Sequence, residues 1–291
     1  MALPLFRTAP LIAPSPPRLP AAPVEYSQHY GDDLTNILRL YFNQLQNFEQ
    51  LFTTNTGGSL LQFPNGAFHQ DGVTTLTSAM TNSSTTAIQV ASTAGFLSAG
   101  TLLIGNELIK YTGTTSTTFT GITRGAYSSS TSAHSIGDYV SEVQAVVNST
   151  TPLAIIMSTT DTSNQVSIDG TDKSKVVFAV AGYYNVQFSV QLLNYTNAVD
   201  NVTFWFRQNG TDVANSAGVT SIPAIHGGVA GAAIVSWNIV LPVHATDYIQ
   251  LMMTSDSGNT VCATYPPGAT PTHPTSPAVI LTATFVSALF T

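Results

Sequence analysis

Hydrophobic and polar positions divide the chain into stretches of different period. In residues 1–30 the apolar side chains are separated by prolines rather than by a regular polar phase. Pro4, Pro10, Pro14, Pro16, Pro17, Pro20 and Pro23 interrupt Leu3, Leu5, Phe6, Leu11, Ile12 and Leu19. Proline fits neither a helix interior nor a central strand, so residues 1–30 are predicted to form an extended arm. Its apolar content is not that of an inert linker. Leu5, Phe6, Leu11, Ile12 and Leu19 are candidate anchors onto a larger body.

Residues 31–53 change to a helical period. Leu34, Leu38, Tyr41, Leu45, Phe48 and Phe52 recur at alternating spacings of four and three, a heptad stripe. Ile37, Leu40, Phe42 and Leu51 widen it, and Asp32 or Asp33 is available as an N-cap. The stripe spans under three heptads, too short for a coiled coil to stand alone. A helix at 31–56 is expected either to associate with copies of itself or to pack on its own domain.

From Gly72 onward the pattern is that of strands. Short runs at 73–80, 86–92, 101–104, 107–112, 117–123 and 138–143 predict a small β module within residues 57–147. Gly105-Asn106 marks a tight turn between two apolar runs. Longer runs at 153–157, 165–167, 175–180, 183–193, 202–207, 232–241, 248–254, 261–263 and 278–286 predict a second β domain over 148–291. Their number and spacing indicate a sandwich or jelly roll. In Phe204-Trp205-Phe206 both faces of a strand are aromatic, which predicts cover on both sides.

Composition narrows the function classes. Charged residues are 8% of the 291, against roughly 25% in ordinary soluble domains. With 8 Lys plus Arg, 15 Asp plus Glu and a net charge of −7, there is no basic stripe for nucleic acid. No apolar run is long enough to span a membrane, and the proline-broken N-terminus does not read as a signal peptide. The single cysteine, Cys262, excludes an intrachain disulfide and reads as a small buried strand residue.

Candidate chemistry is sparse. Glu107, Arg124 and His134 share the small module and offer an acid, a base and an electrophile by type, or simply an internal ion pair with a loop histidine. The six histidines have no metal-ligand spacing. Asp161, Asp169, Asp172, Asp200, Asp212, Asp247 and Asp256 could supply the two carboxylates of a glycosidase, but all adjoin turn-forming residues. No cofactor, no metal and no catalytic residue are predicted. Two segments, 221–233 with His226 and 265–277 with Tyr265 and His273, are expected to be irregular loops on a rigid scaffold, hence candidate recognition loops.

Three stretches resemble known families. Phe178-x-Val180-x-Gly182-x-Tyr184-x-Val186-x-Phe188 resembles the strand signature of the complement-type and tumour-necrosis-factor-like trimeric jelly rolls. Arg207-Gln208-Asn209-Gly210 and His244-Ala245-Thr246-Asp247-Tyr248 are similar to later steps of that family, with Thr246 where glycine is usual. Gly95-Phe96, Gly100-x-Leu102-x-Ile104-Gly105-x-Glu107 and Thr123-Arg124-Gly125-Ala126 resemble a small β module of phage tail and virion proteins. Leu38–Leu45 resembles N-terminal segments of structural proteins of marine short-tailed phages.

These resemblances imply a mainly β, homotrimeric virion protein of a tailed phage, without enzymatic activity. In that reading residues 1–30 are the attachment arm and 31–56 the trimerising helix. Residues 57–147 form a spacer, and 148–291 form an antiparallel jelly-roll head that contacts a host-surface glycan or protein. The implied partners are further copies of the chain and other tail, connector or capsid proteins, with no nucleic acid and no membrane. A tail or connector fibre is favoured over a capsid-bound head fibre or decoration protein, and a glycan depolymerase comes third.

Overall fold

The computed structural model describes residues 14–53, 63–146, 150–269 and 271–289. The chain separates into two compact units, residues 1–62 and 63–291. Leu5, Phe6, Leu11 and Ile12 of the predicted arm lie outside the described residues. Residues 14–27 form no helix or strand, and Leu19 is half exposed. The helix runs Gln28–Thr53, one turn earlier than Asp32 or Asp33 would set. Ser27 caps it: its hydroxyl accepts from Tyr30 N at 3.4 Å, and its carbonyl accepts from Gly31 N. Leu34, Leu38, Tyr41, Leu45 and Phe48 share one face and are each only half-buried, and none of residues 28–50 is buried. The side chain of Phe52 lies outside the described residues.

The second unit is a β sandwich joined edge-on to a smaller β module. Its organising strand is Gly182–Asn194, in which Tyr184, Val186, Phe188, Val190 and Leu192 point inward by strict alternation. It pairs antiparallel along its whole length with Gly231–Val243. On its other edge it pairs first with Val279–Ser287 and then, from Leu192 to Asn194, with Thr260–Ala263. The facing sheet is built on Asp200–Gln208 and Tyr248–Ser255. Phe188 meets Phe204 and Phe206 at ring-centroid distances of 5.7 Å, and Trp237 packs on Phe188 at 4.7 Å. Gly218 closes this core, since a Cβ there would lie 2.6 Å from Trp237. Cys262 is fully buried within it.

The aromatic run resolves within the chain. Phe204 and Phe206 enter the core, while Trp205 lies half-buried on the outer face, its Nε1–H donating to Asp212 at 2.8 Å. Several strands differ from the sequence expectation, the three longest of them at 65–70, 159–164 and 218–222. Asn65–Gln70 joins the sandwich rather than the small module, pairing with Thr159–Asn164 and, at Gln70, with Val279. Thr159–Asn164 is entirely polar because it is wet on both faces. Gly218–Ile222 pairs with the start of the Asp200–Gln208 strand.

The small module has its own core of Leu76, Ile88, Leu102, Ile104, Ile109, Tyr111, Phe119 and Val140. Gly105 and Asn106 form the two-residue turn between Gly100–Ile104 and Glu107–Tyr111, with Gly105 at φ +60°. The expected boundary at 147/148 does not break the sheet. Tyr139–Ala145 pairs on one edge with the module and on the other, through Val143–Ala145, with Val261–Ala263 of the sandwich.

Two local features of this frame have measurable consequences. Thr246 sits at φ +74°, a conformation costly for a β-branched residue. Thr246→Gly should raise stability by about 1 kcal/mol; unchanged or lower stability in urea titration would show that the threonine is not strained. The second is Glu142, 1% exposed at the seam. Its carboxylate accepts from Leu97 N at 3.0 Å and from Gln70 Nε2. Burial outweighs these bonds and pushes its pKa from 4.5 up to about 7. The native state therefore keeps a proton that the unfolded chain has lost, so this group's stabilising contribution is full below about pH 4.5 and disappears as pH rises through 7. Glu142→Gln should raise Tm at pH 8 and change it little at pH 4.5; equal shifts at both pH values would refute the assignment.

Candidate functional site

The side chains with the richest chemistry by type form a closed structural knot. Glu107 and Arg124 pair in a bidentate fashion, with both N···O distances 2.6 Å, and His134 Nε2 lies 2.8 Å from the same carboxylate. Gly125 N and Ser132 N donate to it as well. The remaining guanidinium hydrogens go to the carbonyls of Thr81, Ser84 and Ser132. Burial alone would raise the Glu107 pKa, but the bonds from Arg124, His134 and Ser132 hold it below the usual carboxylate range. Every oxygen of this carboxylate is occupied, so the cluster ties three loops of the module together.

The aspartates of the sandwich are engaged in the same local way. Asp169 caps the turn at Thr171 and Asp172. Asp200 accepts from Ser255, Thr260 and the Ser257 amide. Asp247 braces the Asn209-Gly210 turn through Asn209 Nδ2 at 2.7 Å and also accepts from His244 N. Asp212 is taken by Arg207 and Trp205. These partners are sequence neighbours or adjacent turns, so the carboxylates shape the loops.

The predicted recognition segments are more regular than expected. Ser221 and Ile222 end one strand, and residues 231–233 begin another, leaving 223–230 as the loop. In the second segment Gly268–Ala269 pairs with Thr272–His273, and Tyr265 bridges Ser276. Gln191 Nε2 fixes the base of this hairpin by donating to Ser276 Oγ at 2.5 Å and Pro277 O at 2.8 Å.

The fold brings Tyr265 and His273 together on one cavity of about 670 Å³, with Gln191, Ile234 and Pro274. His226 is exposed on the other loop and lines neither this cavity nor the next. A second cavity of about 670 Å³ also has Tyr265 in its wall and lies at the seam between sandwich and module. Leu103, Asn106, Asp138, Tyr139, Leu193, Tyr195 and Ala230 contribute to its wall. Asn106 Nδ2 donates to Gly228 O at 2.5 Å, holding the 223–230 loop beside it. Tyr195 is 3% exposed, and its hydroxyl has no hydrogen-bond partner. Burial pushes the Tyr195 hydroxyl pKa up, and the neighbouring Tyr265 adds to the shift; burial raises Tyr265 too.

The sequence marks Asn106 only as a turn residue and does not mark Tyr139 or Tyr195 at all, because these three come from separate strand ends that only the seam brings together.

Among the described residues no three His, Cys, Asp or Glu side chains are grouped to hold a metal ion, and no helix is long and apolar enough to cross a membrane. No family model matches the chain, and no curated protein is similar to it.

The ion cluster yields a direct test. Arg124→Met should destabilise the protein by about 3–5 kcal/mol, because it leaves the Glu107 charge buried without its main partner. Restoring neutrality with Glu107→Gln in the same chain should recover part of that loss in urea titration.

Proposed function

We propose that the protein is a homotrimeric structural component of a tailed-phage virion, a fibre-like tail or connector protein. Residues 1–56 attach it to the particle and a jelly-roll head presents the 223–230 and 265–277 loops. The phage assignment rests on the sequence resemblances. Self-association, without the copy number, has separate physical support.

The observation that carries the self-association is a charge-free sheet face. The three adjacent strands Gly182–Asn194, Gly231–Val243 and Val279–Ser287 contain no Asp, Glu, Lys, Arg or His. Their outward side chains include Asn185, Gln187, Ser189, Ser236, Asn238, Thr282 and Thr284. Ile234, Val240, Ile280 and Val286 stand exposed among them, from 40% to 69%. A solvated surface normally carries about a quarter to a third charged residues. The outermost strand, Gly231–Val243, is thirteen residues long and has no strand partner on its second edge among the described residues. Edge strands of that length are usually guarded by lysine, bulges or several prolines; here only Pro242 interrupts it. Together with the half-exposed heptad face of the helix, this leaves two surfaces suited to further copies of the same chain.

Light scattering on the full chain at micromolar concentration should give three times the 30.6 kDa chain mass; a monomer would overturn the proposal. Gln187→Lys, at the centre of the charge-free face, should lower the mass while the circular dichroism stays β-type. Particles assembled with a chain lacking residues 1–30 should not carry it, and normal incorporation would remove the anchor role.

A further inference from the structure

The seam cavity has features that the trimer does not explain. Its walls come from the module's Gly105-Asn106 turn, from Asp138 and Tyr139, from the end of the central strand with Tyr195, and from Tyr265. At about 670 Å³ it is within the size range of small-molecule sites. The site is pre-formed: Asn106 is bonded across to the 223–230 loop, and Gln191 pins the hairpin that carries Tyr265. A rigid site loses less entropy on binding.

The lining chemistry selects a ligand class. No Lys, Arg or His lines the cavity, and its one carboxylate is Asp138. An anionic ligand would meet that charge with no cation to offset it, so phosphates, sulfates and acidic sugars are disfavoured. Three tyrosines supply flat apolar faces with hydroxyl tips. Asn106 and Asp138 supply amide and carboxylate groups of the kind that bind neighbouring hydroxyls. Asp138 Oδ2 is already taken by Ser135 N at 2.7 Å, which fixes the orientation of the carboxylate. Beneath this surface the Tyr195 hydroxyl is buried without a partner, which is rare for a tyrosine in a folded core. It packs in the same cluster as Tyr265, and both side chains line the cavity.

From this geometry we infer that the seam cavity is a binding site for a neutral saccharide. Tyr139 and Tyr265 stack on sugar rings, Asn106 and Asp138 bond ring hydroxyls, and Tyr195 donates to a hydroxyl oxygen that reaches the floor. This deepens the adsorption part of the proposed function. It requires neither the trimer nor the virion, because one chain supplies every wall.

The test uses the full chain on an array of neutral oligosaccharides of two to four residues built from hexoses and N-acetylhexosamines. Sialylated and uronic-acid glycans form a second arm, and hits are followed by titration calorimetry. Saturable binding of a neutral glycan is expected, weakened at least tenfold by Tyr265→Ala and by Asn106→Ala. Tyr195→Phe separates ligand binding from a purely structural role: it should leave Tm unchanged or higher, since it removes an unpaired buried hydroxyl, and still weaken the glycan several-fold. No binding to the neutral arm, preference for the acidic arm, or full affinity in all three variants would overturn the inference. If Tyr139→Ala splits the trimer while the wild type binds no glycan, the cavity is a subunit contact and the saccharide site is refuted, but the trimer is not. A monomer that still binds the glycan would leave this site standing and remove the trimer.

Discussion

The central strand Gly182–Asn194 has more hydrogen-bonding neighbours than a single sheet position usually supports. One edge is committed to Gly231–Val243 for all thirteen residues, and the other changes partner near Gln191, from Val279–Ser287 to Thr260–Ala263. That change couples the two halves of the folded unit. The short Thr260–Ala263 strand passes the ladder on to Tyr139–Ala145 and so to the module. Because register in a sheet is all-or-none, a slip of one residue in the central strand would turn Tyr184, Phe188 and Leu192 outward and break the seam at the same time.

Charge is kept out of this frame except where it is fully answered. Glu107 has Arg124, His134 and two backbone amides; Asp200 has two hydroxyls and an amide. Glu142 accepts from Gln70 and Leu97 among the described residues, and it is the carboxylate that burial pushes toward neutrality. The outer surface replaces charge with hydroxyls and amides, which remain soluble but repel neighbouring copies weakly. The same economy that lets the core strands stack without unpaired charges leaves a broad neutral face uncovered.

Much of the fold was legible in the sequence because period-2 alternation survives wherever one face is buried. Gly182–Asn194, Asp200–Gln208 and Val279–Ser287 match the alternating runs within two residues of their ends, and Tyr248–Ser255, buried on both faces, matches an apolar run just as closely. Thr159–Asn164 was missed because it has no buried face to impose alternation. Asn65–Gln70 was missed because its inner positions are Gly66, Phe68 and Gln70, a single large apolar residue among small and polar ones. The stripe marks the helix, but its start lies earlier than Asp32 and Asp33 indicate, because Ser27 performs the capping role and serine and aspartate serve equally well there. The glycine expected at position 246 by resemblance corresponds to a real left-handed backbone position, which the threonine occupies at φ +74°.

The sequence alone determined the β class, the helix, the tight turn at Gly105-Asn106, and the shortage of charge. Each of these follows from a local period or from composition, which no tertiary contact can alter. Only the tertiary structure decided that the module and sandwich share a sheet, that Tyr265 and His273 meet while His226 stands apart, and that Asn106, Tyr139 and Tyr195 close a cavity around Tyr265. Those groups come from strands and loops far apart along the chain, and even the bond that holds one loop beside the cavity, Asn106 to Gly228, spans 122 positions. Their meeting depends on which edges pair, and an edge leaves no signature in the residues it joins.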